Sequence, residues 1–346
     1  MIYRSFKDKK ISALGFGTMR LPLKNGNFAE PDEDAAAVMF DTAIKGGVNY
    51  FDTAWGYHDG AAESVTGNLL SAYPRDSFFL ADKFPGYDLA NIDKVTRIFP
   101  EQLKKCRVDH FDFYLFHNVC EVNINAYLDD SHGIYDYLKE QKKNGRIRHL
   151  GFSVHGEQDV LQRFLDKYAD VMEFCQVQLN YLDWEFQHAD EKVKKLQEYN
   201  IPLWVMEPLR GGRLANLRPD EEKTLKNMWP DERIPAWAFR FLFTIPSVKV
   251  ILSGMSDLDQ VKDNLRTFSE EKALTEAEMS GLLSLARSMY SSSVLPCTAC
   301  RYCTSHCPKH LDIPELLRLY NEHKFTGGGF LAPMALSAMP ADKQPR

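Results

Sequence analysis

The feature that most constrains the fold is a repeated alternation of short strand-like segments with amphipathic helical segments. Strands that alternate with helices pair in parallel, because each helix returns the chain to the same end of the sheet. Eight repeats predict a closed (β/α)8 TIM barrel; a doubly wound sheet is disfavoured because no G-x-G-x-x-G motif follows the first strand. The predicted strands, rich in β-branched and aromatic residues, are 12–18, 48–54, 78–84, 111–117, 147–154, 174–181, 202–209 and 248–254.

Composition narrows the class of protein. Of 346 residues, 44% are hydrophobic and 26% are charged, which is typical of a globular protein with a sizeable core. The net charge of −6 disfavours a polybasic nucleic-acid binder. No stretch approaches ~18 apolar residues, and the first ten residues are polar and charged, unlike a signal peptide. We therefore expect a cytoplasmic protein that binds neither nucleic acid nor membrane.

Three further segments follow the barrel pattern, which ends near residue 270. Residues 271–294 contain a helical stretch and are interpreted as a connector. Residues 295–325 form a cysteine-rich, ferredoxin-like segment that includes a short helix with Asp312 as its expected N-cap. Residues 326–346 have no helical or strand period, which predicts an irregular tail. The predicted organisation is a barrel at 1–270 followed by a small, mainly helical iron–sulfur segment.

Polar residues stand at the carboxyl ends of three consecutive predicted strands. They are Asp52, Lys83 and His117, and Tyr57 follows Asp52 in the next loop. Active sites of TIM barrels lie at this end of the strands, so we expect the four side chains to converge. The structural alternative is an Asp–Lys ion pair beside a core tyrosine and a core histidine, which explains each residue singly but explains all four together less well.

The four residue types suit proton transfer to a carbonyl oxygen. A tyrosine with its usual pKa of about 10 is a weak acid at neutral pH, and a neighbouring ammonium is expected to lower that pKa. Asp52 would hold Lys83 in its charged form, while His117 could donate a hydrogen bond to a substrate oxygen. Such a set fits protonation of a carbonyl oxygen as a hydride reaches its carbon.

Several motifs along residues 1–270 carry a family resemblance. They are LGFGTMRL (14–21), FDTAWGYHDGAAE (51–63), DHFDFYLFH (109–117), KNGRIRHLGFS (143–153), QLNY (178–181), PLRGG (208–212) and SGMSDLDQVKDN (253–264). With these motifs the region resembles the aldo/keto reductases, barrel enzymes that use an Asp, Tyr, Lys and His tetrad with NAD(P)H. The resemblance implies that Tyr57 is the general acid, that Lys83 and Asp52 set its pKa, and that His117 orients the carbonyl.

The same resemblance implies a binding site for NADP or NAD. Ser153 and Gln178 match residues that hold the nicotinamide carboxamide, and the last strand–helix loop is expected to bind the phosphate on the adenine side. The full set of expected cofactor residues is Gly17, Thr18, Met19, Asp52, Ser153, Gln178, Met206, Pro208, Leu209, Gly211, Gly212, Ser253, Gly254, Met255, Gln260 and Asn264.

The chain departs from the family pattern at three places that bear on the cofactor. Met206 stands where many members have an aromatic residue that stacks on the nicotinamide, so a thioether contact is expected instead. Val154 replaces the usual Asn after Ser153. Gly254 and Gln260 stand where NADPH-specific members carry Lys and Arg, so the choice between NADH and NADPH stays open, with Lys262 or Arg266 as substitute cations.

Four cysteines near the C-terminus carry a separate signal. Cys297, Cys300, Cys303 and Cys307, followed by a proline, have the C-x2-C-x2-C-x3-C-P spacing of bacterial ferredoxins, which predicts a 4Fe-4S cluster. Zinc is the competing ligand, although structural zinc usually takes two well-separated pairs. No flavin signature joins hydride chemistry to one-electron chemistry, so a structural or docking role is favoured for the cluster, with an external electron carrier as the alternative partner.

The fourth cysteine raises a question of ligand number. In ferredoxins with two runs, the last cysteine of one run binds the other cluster, and this chain has one run. The barrel with its cysteine run resembles a branch of aldo/keto reductases that has a C-terminal ferredoxin-like extension, commonly with two runs. We therefore expect the natural chain to continue past Arg346, and leave open whether Cys307 closes its own cluster.

The favoured function is NAD(P)H-dependent reduction of an aldehyde or ketone to an alcohol. The alternatives are a redox-sensing or docking protein that retains a cofactor pocket, and an electron-transfer subunit that uses the cluster. The substrate, a small carbonyl compound, is not identified by the sequence. Trp55, His58, Phe84 and His155 are the expected loop residues at the substrate rim. Neither a heptad repeat nor an apolar patch indicates an oligomeric state.

Overall fold

The computed structural model describes residues 1–291, 295, 302–305, 307–326, 328, 331–340 and 343–344. The chain divides into two compact units. The first contains residues 1–215 and 232–274, and the second contains residues 216–231 and the described part of 275–346. The second unit includes residues 216–231, a segment inserted between two parts of the first unit.

The first unit is a closed barrel of eight parallel strands, as the sequence predicts. Around the barrel the strands follow one another in chain order, and the last pairs with the first through Ile251 and Leu14. In chain order the strands of the described residues are β1 (Tyr3–Phe6), β2 (Lys9–Ser12), β3 (Leu14–Gly17), β4 (Tyr50–Asp52), β5 (Phe79–Phe84), β6 (Phe111–Val119), β7 (Ile147–Val154), β8 (Cys175–Gln178), β9 (Leu203–Met206) and β10 (Val248–Gly254).

An antiparallel hairpin, β1–β2, precedes the barrel and was not predicted from the sequence. Its Phe6 packs edge-on against Trp204, with ring centroids 5.0 Å apart, inside the core cluster that contains Tyr50 and Phe113. Phe113 and Trp204 lie near the amino ends of β6 and β9. The hairpin therefore closes the end of the barrel opposite to the strand ends that carry the predicted site.

Helices connect successive strands of the barrel. Short-range signals set many of their ends: Asp32 caps α1 by accepting from Ala35 N–H, and Asp257 caps α11 by accepting from Gln260 N–H. The helices of the described residues are α1 (Glu33–Lys45), α2 (Ala62–Leu70), α3 (Val95–Cys106), α4 (Ile124–Leu128), α5 (Ile134–Lys143), α6 (Gln158–Tyr168), α7 (Asp183–Phe186), α8 (Ala189–Glu198), α9 (Pro219–Met228), α10 (Ile234–Phe243), α11 (Leu258–Thr267), α12 (Glu276–Ser291), α13 (Tyr302–Ser305), α14 (Ile313–Thr326) and α15 (Leu331–Ala338).

The second unit contains α9 and α12 to α15. Asp312 caps α14 as predicted, because its Oδ1 accepts from Glu315 N–H at 3.4 Å. The tail differs from the prediction, since residues 331–338 form helix α15. Ala, Leu and Met are strong helix formers, and Pro333 lies in the first turn, where its missing N–H removes no helical hydrogen bond. The helix was not predicted because it is only two turns long and the glycines before it weaken the helical pattern of the sequence.

Within the described part of the chain, every helix is too short or too polar to cross a bilayer.

A half-buried carboxylate ties the amino-terminal hairpin to the barrel. Glu173, just before β8, receives hydrogen bonds from Lys7, Lys142 and His149 Nδ1, the last at 3.0 Å. Burial raises the pKa of Glu173, but these three donors outweigh burial and hold that pKa well below its usual range. A carboxyl whose folded pKa is depressed contributes stability above its unfolded pKa, and this contribution is lost as the pH falls.

We therefore predict that Glu173→Gln lowers the free energy of unfolding by about 1–3 kcal/mol near pH 7. The difference from the unsubstituted protein should shrink as the pH falls below about 4, because the glutamate of the unfolded chain becomes protonated there while the folded protein still holds it charged. Urea unfolding of both proteins at a series of pH values measures this difference in the free energy of unfolding. Glu191→Gln on α8, an exposed carboxylate, is the control and should change stability by less than about 0.5 kcal/mol. A pH-independent difference would contradict the assignment.

Candidate active site

Strand register brings the predicted polar residues to one rim of the barrel. Asp52 is paired with Gly17 of β3, and Lys83 with Leu115 of β6. His117 lies two residues beyond Leu115 on the same strand. The three side chains therefore come from neighbouring strands near their carboxyl ends, which is where sequence analysis placed them.

The centre of the site is a buried ion pair. Lys83 Nζ donates to Asp52 Oδ1 at 2.6 Å and to the backbone oxygen of Thr53 at 2.7 Å, and both charged side chains are almost fully excluded from solvent. Burial lowers the pKa of Lys83, but the charge and hydrogen bond of Asp52, together with Tyr57 and Asp82, outweigh burial and raise that pKa. The lysine is therefore positively charged at neutral pH.

Tyr57 lies above this pair, on a short turn that follows β4. Its ring centroid is 5.0 Å from Lys83 Nζ. The next two residues, His58 and Asp59, have φ values of 52°, so a left-handed backbone turns the chain directly after the tyrosine. Burial raises the pKa of Tyr57 to about 12, although Lys83 acts in the opposite direction.

The raised pKa of Tyr57 corrects one expectation from the sequence. A neighbouring ammonium was expected to lower the pKa below 10, but the cost of burying a phenolate is larger than the attraction of Lys83. The phenol is therefore protonated throughout the neutral range. Such a group can donate a proton, which is the state that an acid catalyst needs before reaction.

His117 completes the group. Its ring lies 6.2 Å from that of Tyr57, and Tyr87 packs edge-on against it at 5.0 Å. Burial, and then the charge of Lys83, lower the pKa of His117 well below its usual range, so the imidazole is neutral. Its buried Nδ1 has no hydrogen-bond partner among the described residues. Tyr87 was not found by sequence reasoning, because no motif or strand end distinguishes a tyrosine in a loop.

A second buried network supports Lys83 from outside the barrel. The Gln102 side-chain amide lies 2.9 Å from the backbone oxygen of Lys83 and 3.0 Å from both Asp82 Oδ1 and Glu63 Oε1. Burial, and then the charge of Glu63, raise the pKa of Asp82 well above its usual range, so Asp82 keeps a proton beside the second carboxyl group. The network fixes the strand on which Lys83 stands.

Two of the expected cofactor segments approach closely at the rim. A methyl group on Gly17 would lie 3.5 Å from the backbone oxygen of Ser253, and Asn264 Nδ2 donates to Ser253 Oγ at 3.0 Å. Thr18 is buried and donates to the backbone oxygen of Asp52, whereas Met19 is 38% exposed. The ends of β3 and β10 thus combine narrow backbone spacing with polar side chains, an arrangement that fits an extended dinucleotide.

The residues expected near the nicotinamide also lie at the rim, and they differ in how many of their hydrogen-bonding groups are already used within the protein. Ser153 Oγ accepts from Asn118 N–H at 2.7 Å and keeps its own proton for donation. Gln178 Nε2 donates to Asp183 and Gln187, so its amide protons are engaged within the protein. Met206 Sδ accepts from Gln176 at 3.6 Å.

A buried ion pair anchors the PLRGG segment (208–212). Arg210 Nε donates to Asp183 Oδ1 at 2.8 Å, and Asn180 donates to the other carboxylate oxygen. Gly211 and Gly212 then adopt φ values of 64° and 98°, a region that favours glycine. Pro208 is buried and Leu209 is half-buried. The sequence marked the glycines but not Asp183, whose role depends on a contact between two loops.

Aspartates contact the expected cofactor residues of the last strand–helix loop. Gln260 Nε2 donates to Asp257 Oδ2 at 2.7 Å, and Met255 is completely buried. Neither candidate cation is free of carboxylates: Lys262 lies 3.9 Å from Asp259 and Arg266 lies 3.1 Å from Asp263. Gly254 is exposed.

Two of the four expected substrate-rim residues have other roles. His58 is buried, accepts from Leu21 N–H at 3.2 Å and contacts the Phe28 carbonyl oxygen at 2.8 Å, so it holds a loop together. Phe84 is fully buried and packs against Tyr127. The sequence could not show these directions, because a change of one position along a strand reverses the face to which a side chain points.

The other two residues remain candidates for the substrate rim. Trp55 is half-buried, with Lys105 Nζ 3.9 Å from its ring centroid. His155 is half-buried as well, and burial lowers its pKa to about 3.

Half of the predicted metal ligands lie within the described residues. Cys303 is exposed and Cys307 is half-buried, and neither forms a disulfide. Cys297 and Cys300 lie outside the described residues. Among the residues that are described, no group of three or more His, Cys, Asp or Glu side chains could hold a metal ion. The 4Fe-4S cluster therefore stays a prediction.

The barrel was compared with known proteins. The sequence is 24% identical to L-galactose dehydrogenase of Arabidopsis thaliana over 77% of this chain and 86% of that protein. The holo form of an aldo-keto reductase from Bacillus halodurans is 25% identical, with a TM-score of 0.66 over 82% of this chain and 96% of the other. An aldo-keto reductase from Klebsiella pneumoniae in complex with NADPH is 18% identical, with a TM-score of 0.65 over 83% and 96%.

These likenesses agree with the family-level comparison. The sequence profile of the aldo/keto reductase family matches residues 13–287, which is most of the chain. The chain belongs to the aldo/keto reductase family of oxidoreductases.

Proposed function

We propose that this oxidoreductase reduces an aldehyde or ketone to an alcohol with NADPH or NADH, and that Tyr57 is the general acid. The observation that carries the proposal is the grouping of a protonated phenol, a buried ammonium and a neutral imidazole at the carboxyl ends of neighbouring strands. An ion pair kept only for stability would not require a tyrosine and a partner-free histidine nitrogen beside it.

In this mechanism each side chain has one task. The neutral His117 donates a hydrogen bond to the substrate carbonyl oxygen and orients it towards Tyr57. When bound, the nicotinamide supplies a hydride to the carbonyl carbon. As the C=O double bond becomes a single bond, the Tyr57 hydroxyl passes its proton to the oxygen, giving the alcohol. Lys83 stabilises the phenolate that remains, and Asp52 keeps Lys83 charged.

We further propose that the cofactor is held at the rim formed by β3, β7, β9 and β10. The residues in contact would be Gly17, Thr18, Met19, Ser153, Met206 and the loops that carry Gly211, Gly212, Ser253 and Gly254. A reductase of Klebsiella pneumoniae with the same barrel fold is in complex with NADPH, which supports a nicotinamide cofactor but does not locate it. Gln178 and Met255 are weaker candidates, because one has its amide protons engaged and the other is completely buried.

Replacing Tyr57 with Phe removes the proposed proton donor while keeping the ring. We expect kcat for aldehyde reduction to fall by about 100- to 10,000-fold, with a cofactor Kd within about twofold of the starting value. Steady-state kinetics over a panel of aldehydes and ketones, with fluorescence titration of NADPH and NADH, provide the measurement. Tyr73→Phe, outside the site, is the matched control and should keep full turnover. Unchanged turnover in Tyr57→Phe would refute the assignment.

Removing the Lys83 charge tests the role of the ion pair. Lys83→Met leaves Asp52 buried without its partner, which should cost about 3–5 kcal/mol of stability. The double variant Asp52→Asn with Lys83→Met should regain most of that stability but not the activity, because the phenolate still lacks a cation. Turnover that returns together with stability would assign the pair a structural role only.

We also propose that the cysteine run binds a 4Fe-4S cluster with a structural or docking role. Its support is the ligand spacing, together with two cysteines, one exposed and one half-buried, that form no disulfide. Zinc and an external electron carrier remain the alternatives to be tested. The thiolates would supply soft ligands on short, closely spaced segments.

Anaerobically purified protein is expected to contain iron and sulfide in equal amounts, and Cys303→Ser should lose both. Cys307→Ser should also lose them if Cys307 closes its own cluster, and should keep them if Cys307 serves a different one. Cys106→Ala, which removes a buried thiol of α3, is the control and should retain the metal. Zinc in place of iron, measured by elemental analysis, would overturn the cluster.

A further inference from the structure

Arg20 lies where two cofactor loops meet, although no motif assigned it a role. It follows β3, in the short turn Thr18–Arg20. A methyl group on Gly254 would lie 3.2 Å from Arg20 Cγ and Cδ, and a methyl group on Gly211 would lie 3.2 Å from Arg20 Nη2. The aliphatic part of Arg20 therefore packs on the end of β10, and its guanidinium reaches the loop after β9.

The charge of Arg20 is available for a ligand. Its side chain is exposed and forms no ion pair with any residue that the structure describes. By contrast, Lys262 and Arg266, the cations expected from the sequence, each form a surface ion pair with an aspartate of their own helix. One carboxylate is near Arg20: Glu207 Oε2 lies 3.8 Å from the methyl position of Gly211, but it forms no salt bridge with Arg20.

The backbone around Arg20 is fixed, so the guanidinium has a defined location. Thr18 Oγ1 donates to the Asp52 backbone oxygen at 3.0 Å, and Leu21 N–H donates to His58 Nε2 at 3.2 Å. Because Nε2 accepts, the proton of the neutral imidazole must be on Nδ1, which then donates to the Phe28 carbonyl oxygen at 2.8 Å. Buried residues thus hold the chain immediately before and after Arg20.

The position of Arg20 also indicates which part of a dinucleotide would lie next to it. β9 and β10 stand across the barrel from β5 and β6, the strands that carry Lys83 and His117. A dinucleotide with its nicotinamide near those two residues must direct its phosphates towards the opposite rim. Glycine at 211 and 254 leaves the backbone accessible there, and a guanidinium matches the oxygens of a phosphate in a bidentate manner.

We propose that Arg20 binds a phosphate of the dinucleotide cofactor, as a cation that forms no ion pair within the described residues. This inference rests on the proposed function, since it requires a nicotinamide dinucleotide in the barrel. Two phosphates share the necessary chemistry: the pyrophosphate, which NADH and NADPH both contain, and the 2′-phosphate, which only NADPH contains.

Direct binding measurements separate these cases. Intrinsic fluorescence is titrated with NADPH and with NADH for the unsubstituted protein, Arg20→Met, Arg20→Lys and Lys24→Met. Lys24 is the matched control, since it is an exposed cation a few residues along the same segment. Thermal unfolding checks that all variants fold. We expect Arg20→Met to weaken binding by at least about tenfold and Arg20→Lys to weaken it less, with Lys24→Met within about twofold.

Each outcome bears on the proposal. Equal weakening for both dinucleotides supports contact with the pyrophosphate, and weakening for NADPH alone supports contact with the 2′-phosphate. The proposal fails if Arg20→Met binds NADPH and NADH with affinities within about twofold of the unsubstituted protein. It also fails if Lys24→Met weakens binding as much as Arg20→Met does, because long-range electrostatic attraction between the protein and the anionic dinucleotide then explains the effect. Failure of the unsubstituted protein to bind either dinucleotide would instead reject the proposed function, and the role of Arg20 with it.

Discussion

The buried ion pair between Lys83 and Asp52 is the interaction on which the candidate site depends. Each charge would be strongly disfavoured alone in the barrel interior, and together they are stable only because a 2.6 Å contact and a backbone oxygen compensate for lost hydration. That requirement fixes the relative positions of β4 and β5. It also creates the local field in which Tyr57 and His117 keep the protonation states that the chemistry needs.

Polar anchors buried beneath the loops give the rim its shape. Arg210 and Asp183 join the loops after β8 and β9, while His58 joins the segment after Arg20 to the carbonyl oxygen of Phe28. These anchors lie beside residues with left-handed backbone, such as His58 and Gly211. A loop that is fixed in this way can present a side chain at a defined position without regular secondary structure, which is what a binding site on a barrel rim requires.

The fold was largely predictable, because a strand–helix alternation repeated eight times has few solutions. The hairpin at residues 3–12 was missed, since four-residue strands give a weak pattern. The packing of Phe6 in the core cluster at the end of the barrel exists only in the folded protein. Helix α15 was missed because neighbouring glycines obscure its helix-forming residues. The tetrad residues could be chosen from polar groups at and just after strand ends, whereas the contacts of Tyr87, Asp183 and Arg20 join segments far apart in the chain and no local pattern shows them.

The sequence by itself determined the family, the barrel and the residues that meet at its mouth, because strand periodicity and motif order are local properties of the chain. Tertiary structure decided the protonation states and the free charges. Burial outweighs Lys83 at Tyr57, and Lys262 and Arg266 form surface ion pairs with aspartates while Arg20 forms no ion pair within the described residues. Such outcomes depend on desolvation and on distances between residues far apart in the chain, which are set only when the barrel closes.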